Sequence, residues 1–342
     1  MPQIQDAINV LHAFRRIESY VYRTPLIESE EVNELFGCNL YFKLDSLQKT
    51  GAFKIRGVIN HLLCLKQQNS LPDKIVTYST GNHAIATAYA CNLFNIQALI
   101  YLPQNVSQDK KKLLQRYRAH VVETPTRADA ELACREQKKM GVYFLHPSDS
   151  DWTIAGVGTF CYEAIVDFYL LHRRKMALLH DADAAKNITY NTQELSEFCT
   201  NHLDVIFAPC GGGGLLSGSY LAKELLTPRT KLIGVEPEIA NDAFISRQQN
   251  SIYRFADSPM TMADGLRALS LSPRTFEYIK CLDDMMLVTE DRIKHWHDFV
   301  VSNLRVHCEP SSAISLEAAW QWLQCNDAKN KQILILISGG NS

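Results

Sequence analysis

Four consecutive glycines, Gly211–Gly214, stand between an apolar run at 205–208 and a helical pattern at 215–226. Glycine loses more conformational freedom on folding than any other residue, so such a row needs a physical reason. Where a strand passes into a helix, a row of unhindered backbone N–H groups suits a phosphate dianion. A tight turn alone would be satisfied by one or two glycines. The loop commits this part of the chain to a strand–loop–helix unit whose turn faces an anion.

The same alternation recurs along the 342 residues. Short apolar runs rich in β-branched residues at 39–43, 75–78, 98–102, 120–123, 205–208, 231–235 and 332–337 read as strands. Helical patterns at 84–95, 108–117 and 215–226 follow several of them. This is the pattern of an α/β protein with mainly parallel sheets, and the length suggests about two domains. The run 108–117 carries three consecutive lysines, read as a solvated helix face. With 35 basic against 37 acidic side chains, net charge −2, the chain has no basic footprint for nucleic acid. No uncharged apolar run approaches the roughly 20 residues of a membrane helix, and no secretory signal opens the sequence. The ten cysteines include no Cys-x-x-Cys pair, so they read as free thiols in a reducing, cytoplasmic setting rather than as a disulfide or zinc framework. Between about 170 and 203 strand character disappears and charge accumulates, which reads as an inserted helix and loop.

Two further loops end predicted strands, where ligands bind in open α/β sheets. One is Tyr78-Ser79-Thr80-Gly81-Asn82-His83-Ala84, and the other is Ser338-Gly339-Gly340-Asn341. Alone, the first would pass as an ordinary helix cap and the second as a polar tail. The tetraglycine loop contains no Gly-x-Gly-x-x-Gly and is not closed by Gly-Lys-Ser/Thr, so an ordinary dinucleotide or nucleotide site is disfavoured. A single phosphate ester on a compact cofactor remains. Upstream, Lys54 lies between Phe53 and Ile55. Such a lysine usually snorkels over apolar neighbours, but in a pocket with a phosphate loop its desolvated amine suits Schiff-base chemistry.

Four strings occur in an order that resembles the fold-type II pyridoxal-phosphate (PLP) enzymes, within them the serine racemase and serine/threonine dehydratase branch. They are Thr50-Gly51-Ala52-Phe53-Lys54-Ile55-Arg56-Gly57, Ser79-Thr80-Gly81-Asn82-His83, Gly211-Gly212-Gly213-Gly214-Leu215 and Ser338-Gly339-Gly340-Asn341. Ala155-Gly156-Val157-Gly158-Thr159, Ala263-Asp264-Gly265 and Glu309-Pro310-Ser311-Ser312-Ala313 add to them. The resemblance implies two open twisted α/β domains with PLP in the cleft between them. It implies that Lys54 forms the Schiff base and later moves protons. Phe53 would pack on the cofactor ring, Asn82 would bond its 3-hydroxyl, Gly211, Gly212, Gly213, Gly214 and Leu215 would hold its phosphate, and Ser338 would face the ring nitrogen. Ser79, Asn82 and His83 would receive the substrate carboxylate. In serine racemases a serine on the face opposite the lysine shuttles the second proton, and Thr80 stands in that place here.

A neutral hydroxyl at the ring nitrogen makes a weaker electron sink than a carboxylate would, which suits rapid β-elimination. The expected activity is therefore dehydration of L-threonine, L-serine or a related 3-hydroxy amino acid to a 2-keto acid and ammonia. The alternatives are an amino-acid racemase using Lys54 and Thr80, and a non-catalytic amino-acid or PLP sensor. The resemblance further implies Mg²⁺, or Ca²⁺ or Mn²⁺, on Glu236, the Ala240 carbonyl and Asp242, hard oxygen ligands suited to such a cation. It also implies a homodimer. The motif order places a smaller domain, 74–150, inside a larger one built from 1–73 and 151–342.

Overall fold

The computed structural model describes residues 4–79, 81–104, 106, 108–180 and 191–341, excepting the side chains of 4, 5, 108, 109, 179 and 180. In chain order the first half runs α1 (Ile4–Ile17), β1 (Leu26–Ile27), α2 (Glu30–Phe36), β2 (Asn39–Leu44), α3 (Lys54–Gln67), β3 (Lys74–Tyr78), α4 (Asn82–Leu93) and β4 (Gln97–Pro103). There follow α5 (Gln108–Arg116), β5 (His120–Thr124), α6 (Arg127–Lys139), β6 (Tyr143–Phe144), α7 (Asp151–His180) and α8 (Thr192–His202). The remainder is β7 (Val205–Pro209), α9 (Gly214–Leu226), β8 (Lys231–Pro237), α10 (Asp242–Gln249), α11 (Pro273–Ile279), β9 (Asp284–Val288), α12 (Glu290–Phe299), α13 (Pro310–Gln324) and β10 (Gln332–Ile337).

The strands form two sheets: β1-β2-β10-β7-β8-β9 and β5-β4-β3-β6. Every pairing is parallel except β1 with β2, at one edge. The α/β architecture with mainly parallel sheets is thus as expected, and all seven anticipated strands are present. The three unanticipated ones, β1, β6 and β9, are two to five residues long, and each lies at a sheet edge. The four-stranded sheet is built wholly from 74–144, and the six-stranded sheet from the flanking segments.

Helix α7 threads the larger sheet's helical layer. Its Gly158 meets Gly218 of α9 so closely that a Cβ on Gly158 would lie 2.6 Å from the Gly218 carbonyl oxygen. Its Gly156 lies against the backbone of α3 in the same way. The string 155–159 is therefore a spacer that lets three helices approach one another. By length and composition α7 could cross a bilayer, but 83% of its most apolar window is buried within the chain, as in a core helix. The expected inserted helix and loop at 170–203 is resolved differently at its two ends. Its first part continues α7, and its last part is α8, whose Leu195 and Cys199 join the core; residues 181–190 lie outside the described ones.

A buried ion network ties α3 to this layer. Arg56 is fully buried and donates from Nε and Nη2 to the two Asp45 oxygens at 2.6 and 2.8 Å. Its Nη1 and Nη2 also reach Glu163 on α7 at 3.1 Å each. Lys43 of β2, likewise buried, donates to the Thr24 carbonyl and lies 2.7 Å from Glu163 and 2.6 Å from Asp167. Burial alone would push the Glu163 carboxyl up, but Arg56 and Lys43 outweigh it and hold it below the usual carboxylate range. Removing one member of such a cluster leaves uncompensated charge in a dry interior, at a cost of about 3–5 kcal/mol. Glu163→Gln should lose that much in denaturant unfolding, whereas a loss under about 1 kcal/mol would class the network with surface pairs.

Candidate active site

The carboxyl ends of β7 and β10 and the start of α3 open onto a cavity of about 500 Å³ that is also lined by the loop after β3. At its floor two chain segments are joined edge to edge. Phe53 N–H donates to the Ser338 carbonyl at 2.9 Å, Gly340 N–H donates to Gly51 at 2.9 Å, and Ala52 bridges Gly339. Asn341 Nδ2 adds a bond to the Thr50 carbonyl at 2.8 Å. The segment bearing Lys54 and the polar tail thus form one unit although 284 positions separate Lys54 from Ser338 in the chain.

Lys54 is the first residue of α3, and its Nζ lies 5.0 Å above the Phe53 ring and 3.3 Å from the Pro147 carbonyl. Burial, with the nearby Arg127 charge, pushes its amine down to about 8, against an opposing pull from Glu309. A substantial neutral fraction near physiological pH is what a carbonyl-attacking amine needs. Opposite, the tetraglycine loop leaves β7 and enters α9. Gly213 sits at φ 78°, and a Cβ there would also lie 2.9 Å from Leu271 and Thr275. Gly211, Gly212, Gly214 and Leu215 all line the cavity, so backbone N–H groups at the start of α9 are available to an anion. Ser338 Oγ lies 2.8 Å from Ser312 Oγ, and Ser312 in turn accepts from Gly339 N–H at 2.8 Å.

The loop after β3 brings its residues to the same space. Asn82 Nδ2 donates to both Glu309 oxygens at 2.9 and 3.0 Å, and its Oδ1 accepts from Asn341 at 3.0 Å. Ser79 Oγ accepts from Gly81 N–H at 3.0 Å and holds the turn. His83 lines the cavity, but its Nε2 faces Thr77 Oγ1 at 3.1 Å and the Leu145 carbonyl at 3.4 Å. What His83 can offer a carboxylate is its backbone N–H at the start of α4. Thr80 lies outside the described residues.

Several contributors were not legible in the motifs. Glu309 fixes the Asn82 amide; it is held extended, at φ −87° and ψ 154°, because Pro310 begins α13 immediately after it. Burial raises its carboxyl to about 7. Lys110, read as part of a solvated face, is instead buried and lies 2.5 Å from Asp264 across the cleft. The correction has a tertiary cause, since Gly81 and Asp264, from distant segments, pack on the Lys110 side chain. The sequence had flagged Asp264 and Glu309 only as members of strings, without a role.

Below the tetraglycine loop two acids meet. Both Glu236 oxygens accept N–H bonds from the start of α10, from Ala243 at 3.1 Å and Phe244 at 2.8 Å. Both Asp242 oxygens are buried with no hydrogen-bond partner. Burial and Asp242 push the Glu236 carboxyl well up, and burial raises Asp242 to about 7. Buried carboxylate oxygens without partners are costly unless a cation compensates them. Among the described residues no cluster of three His, Cys, Asp or Glu side chains forms a ready-made cage. A cation would therefore draw on the two acids, a carbonyl such as that of Ala240, and water.

A family model described as pyridoxal-phosphate dependent enzyme matches residues 17–339. The chain belongs to the pyridoxal-phosphate-dependent enzymes. A serine racemase of Dictyostelium discoideum is 34% identical over 97% of this chain and 94% of that protein. An L-threo-3-hydroxyaspartate ammonia-lyase of Saccharomyces cerevisiae is 31% identical over 97% and 92% respectively. The solved structure of a maize serine racemase superposes with a TM-score of 0.82 at 31% identity, covering 98% of this chain and 94% of the other. The protein is thus a fold-type II PLP enzyme of the serine racemase and dehydratase branch, and the cavity fits its cofactor: a buried amine, a row of glycine N–H groups and a hydroxyl pair.

The state of the Lys54 amine sets a test. PLP uptake by cofactor-free protein, followed by the return of visible absorbance, should accelerate with pH around a midpoint near 8, because the neutral amine accumulates above that value. A midpoint near the ordinary 10.5 would show that burial does not shift Lys54.

Proposed function

We propose that the protein is a dehydratase of small 3-hydroxy amino acids, releasing a 2-keto acid and ammonia. The observation that carries the reading is the hydroxyl pair Ser338–Ser312, 2.8 Å apart, where the cofactor ring would end. Bound PLP supplies a conjugated ring that delocalises the electron pair left when the substrate's Cα–H bond breaks. Ser338, held by Ser312, would offer the ring nitrogen a neutral hydroxyl rather than a carboxylate, which would moderate that sink in favour of loss of the Cβ hydroxyl as water. Lys54 takes the Cα proton, and its lowered basicity leaves it able to accept. The Gly211–Leu215 amides would hold the phosphate, Asn82, anchored on Glu309, would orient the ring, and Phe53 would pack on its face. Ser79 and the amides of Asn82 and His83 receive the α-carboxylate. The enamine released hydrolyses in water to the keto acid and ammonia.

The same reading assigns Glu236, the Ala240 carbonyl and Asp242 to Mg²⁺, Ca²⁺ or Mn²⁺, supported by the partnerless Asp242 oxygens beside the phosphate loop. It takes 74–150 as a small domain that closes over 1–73 and 151–342, a motion that would exclude water from the reacting centre. It also takes the protein to be a cytoplasmic homodimer.

Holoenzyme given L-serine, L-threonine or L-threo-3-hydroxyaspartate should release keto acid faster than it forms the opposite enantiomer. The reverse order would make it a racemase, as its relative in Dictyostelium is named. Lys54→Ala should lower keto-acid release by about 10³-fold or more; unchanged turnover would leave a sensor as the reading. Chelation should lower the melting temperature and Mg²⁺ should restore it, with Asp242→Asn insensitive to both. A wild-type melting curve indifferent to chelator would remove the metal from the proposal.

A further inference from the structure

A buried cation stands behind the turn expected to receive the substrate carboxylate. Lys110 of α5 has 8% of its side chain exposed, and its Nζ donates to Asp264 Oδ2 at 2.5 Å. An ammonium taken out of water needs such a partner. The lysine chain also lies against the turn after β3. A Cβ on Gly81 would stand 3.1 Å from Lys110 Cδ, 3.2 Å from its Nζ and 3.3 Å from its Cε. Gly81 immediately precedes α4, and its N–H is held by Ser79 Oγ at 3.0 Å. Ser79, Asn82 and His83 line the cavity, whereas Lys110 supports their turn from outside it. A cation beside a helix N-terminus opposes the helix dipole unless anions stand near it. Asp264 supplies one anion, and a carboxylate received at the start of α4 would supply a second.

Asp264 is fixed from the other side of the cleft. It opens a short 3₁₀ turn, Asp264–Leu266, in which Gly265 N–H donates to Ser311 Oγ at 2.9 Å. Ser311 belongs to α13, the helix that starts after Glu309 and carries Ser312 against Ser338. Contacts therefore run without a break from the cavity floor through α13 and Asp264 to Lys110 and the Gly81 turn. Glu309, raised chiefly by burial, also feels both charges, upward from Asp264 and downward from Lys110. The ion pair thus lies beside the group that anchors Asn82.

We propose that Lys110 is a positioning residue for substrate binding: clamped by Asp264 across the cleft, it seats the Gly81 turn so that Ser79 and the amides at the start of α4 meet the α-carboxylate. The proposal rests on this turn being the carboxylate site and adds what holds it in place. Lys110 acts through the turn, not on the reacting atoms.

The test uses two amines that differ by one carboxylate. Holoenzyme is titrated with L-alanine and with ethylamine, following the cofactor's visible absorbance. Neither ligand has a β-hydroxyl to lose, so elimination does not enter. Lys110→Met and Asp264→Asn should each weaken L-alanine binding by about fivefold or more and leave ethylamine unchanged. The double variant should bind L-alanine no more weakly than the weaker single variant, because both substitutions break the same clamp. Lys110→Arg, which keeps the charge, should recover most of the affinity. Unchanged L-alanine binding in Lys110→Met overturns the proposal, and so do losses that multiply in the double variant. Equal weakening of L-alanine and ethylamine also overturns it, because the cavity as a whole would then have been damaged. A wild type that binds L-alanine no better than ethylamine removes the carboxylate site and the proposal with it. If the variants behave as expected but no 3-hydroxy amino acid yields keto acid, the role of Lys110 stands and the dehydratase reading falls.

Discussion

A guanidinium wholly removed from water, that of Arg56, has to be matched by charge on every side, and the rest of the site depends on how this is done. Asp45, at the end of β2, and Glu163, in the middle of α7, supply the carboxylates, and Lys43 balances the second of them. Arg56 stands two positions after Lys54, and two residues along a helix point to nearly opposite faces. Anchoring the arginine inward therefore holds the lysine outward, toward the cavity. The same helix buries Ile55, Val58, Ile59 and Leu62 against β3 and α4, so the network orients both the amine and the sheet that faces it.

Away from the apolar cluster that α3 and α4 share, four contacts that span the two sheets' territories around the cavity are polar: Lys110 to Asp264, Glu131 to Arg254, Asp149 to Arg274 and Asn82 to Glu309. Polar, partly solvated contacts part at lower cost than a packed apolar seam, which is the physical form expected of a cleft that must admit and release a small molecule. Glu309 is the most constrained of these groups. It is buried, positioned by Pro310, packed against Gly339 and bonded to the amide of Asn82. It thereby links the helix that carries Ser312 to the loop expected to meet both cofactor and substrate.

Much of the architecture was readable because its signals are local. The alternation of β-branched runs with helical patterns is written within windows of a dozen residues, and the tetraglycine loop marks its own strand end. Short edge strands such as β6 escaped, since two residues carry no period. Lys110 was misread for a related reason: its helix pattern is that of a solvated face, and distant segments bearing Gly81 and Asp264 cover it. Nor could any window show that the Ser338 carbonyl would bind Phe53, or that His146 and Arg127 would share one tyrosine ring.

The sequence by itself determined the class of fold and the tetraglycine turn between a strand and a helix, because backbone geometry and helix–strand periodicity act between near neighbours. Only the tertiary structure decided how far burial lowers the Lys54 amine, which acid is left without a partner, and which charged side chains line the cavity. Those properties are sums over charges and burial from segments far apart in the chain, and they come into being only when the chain has closed.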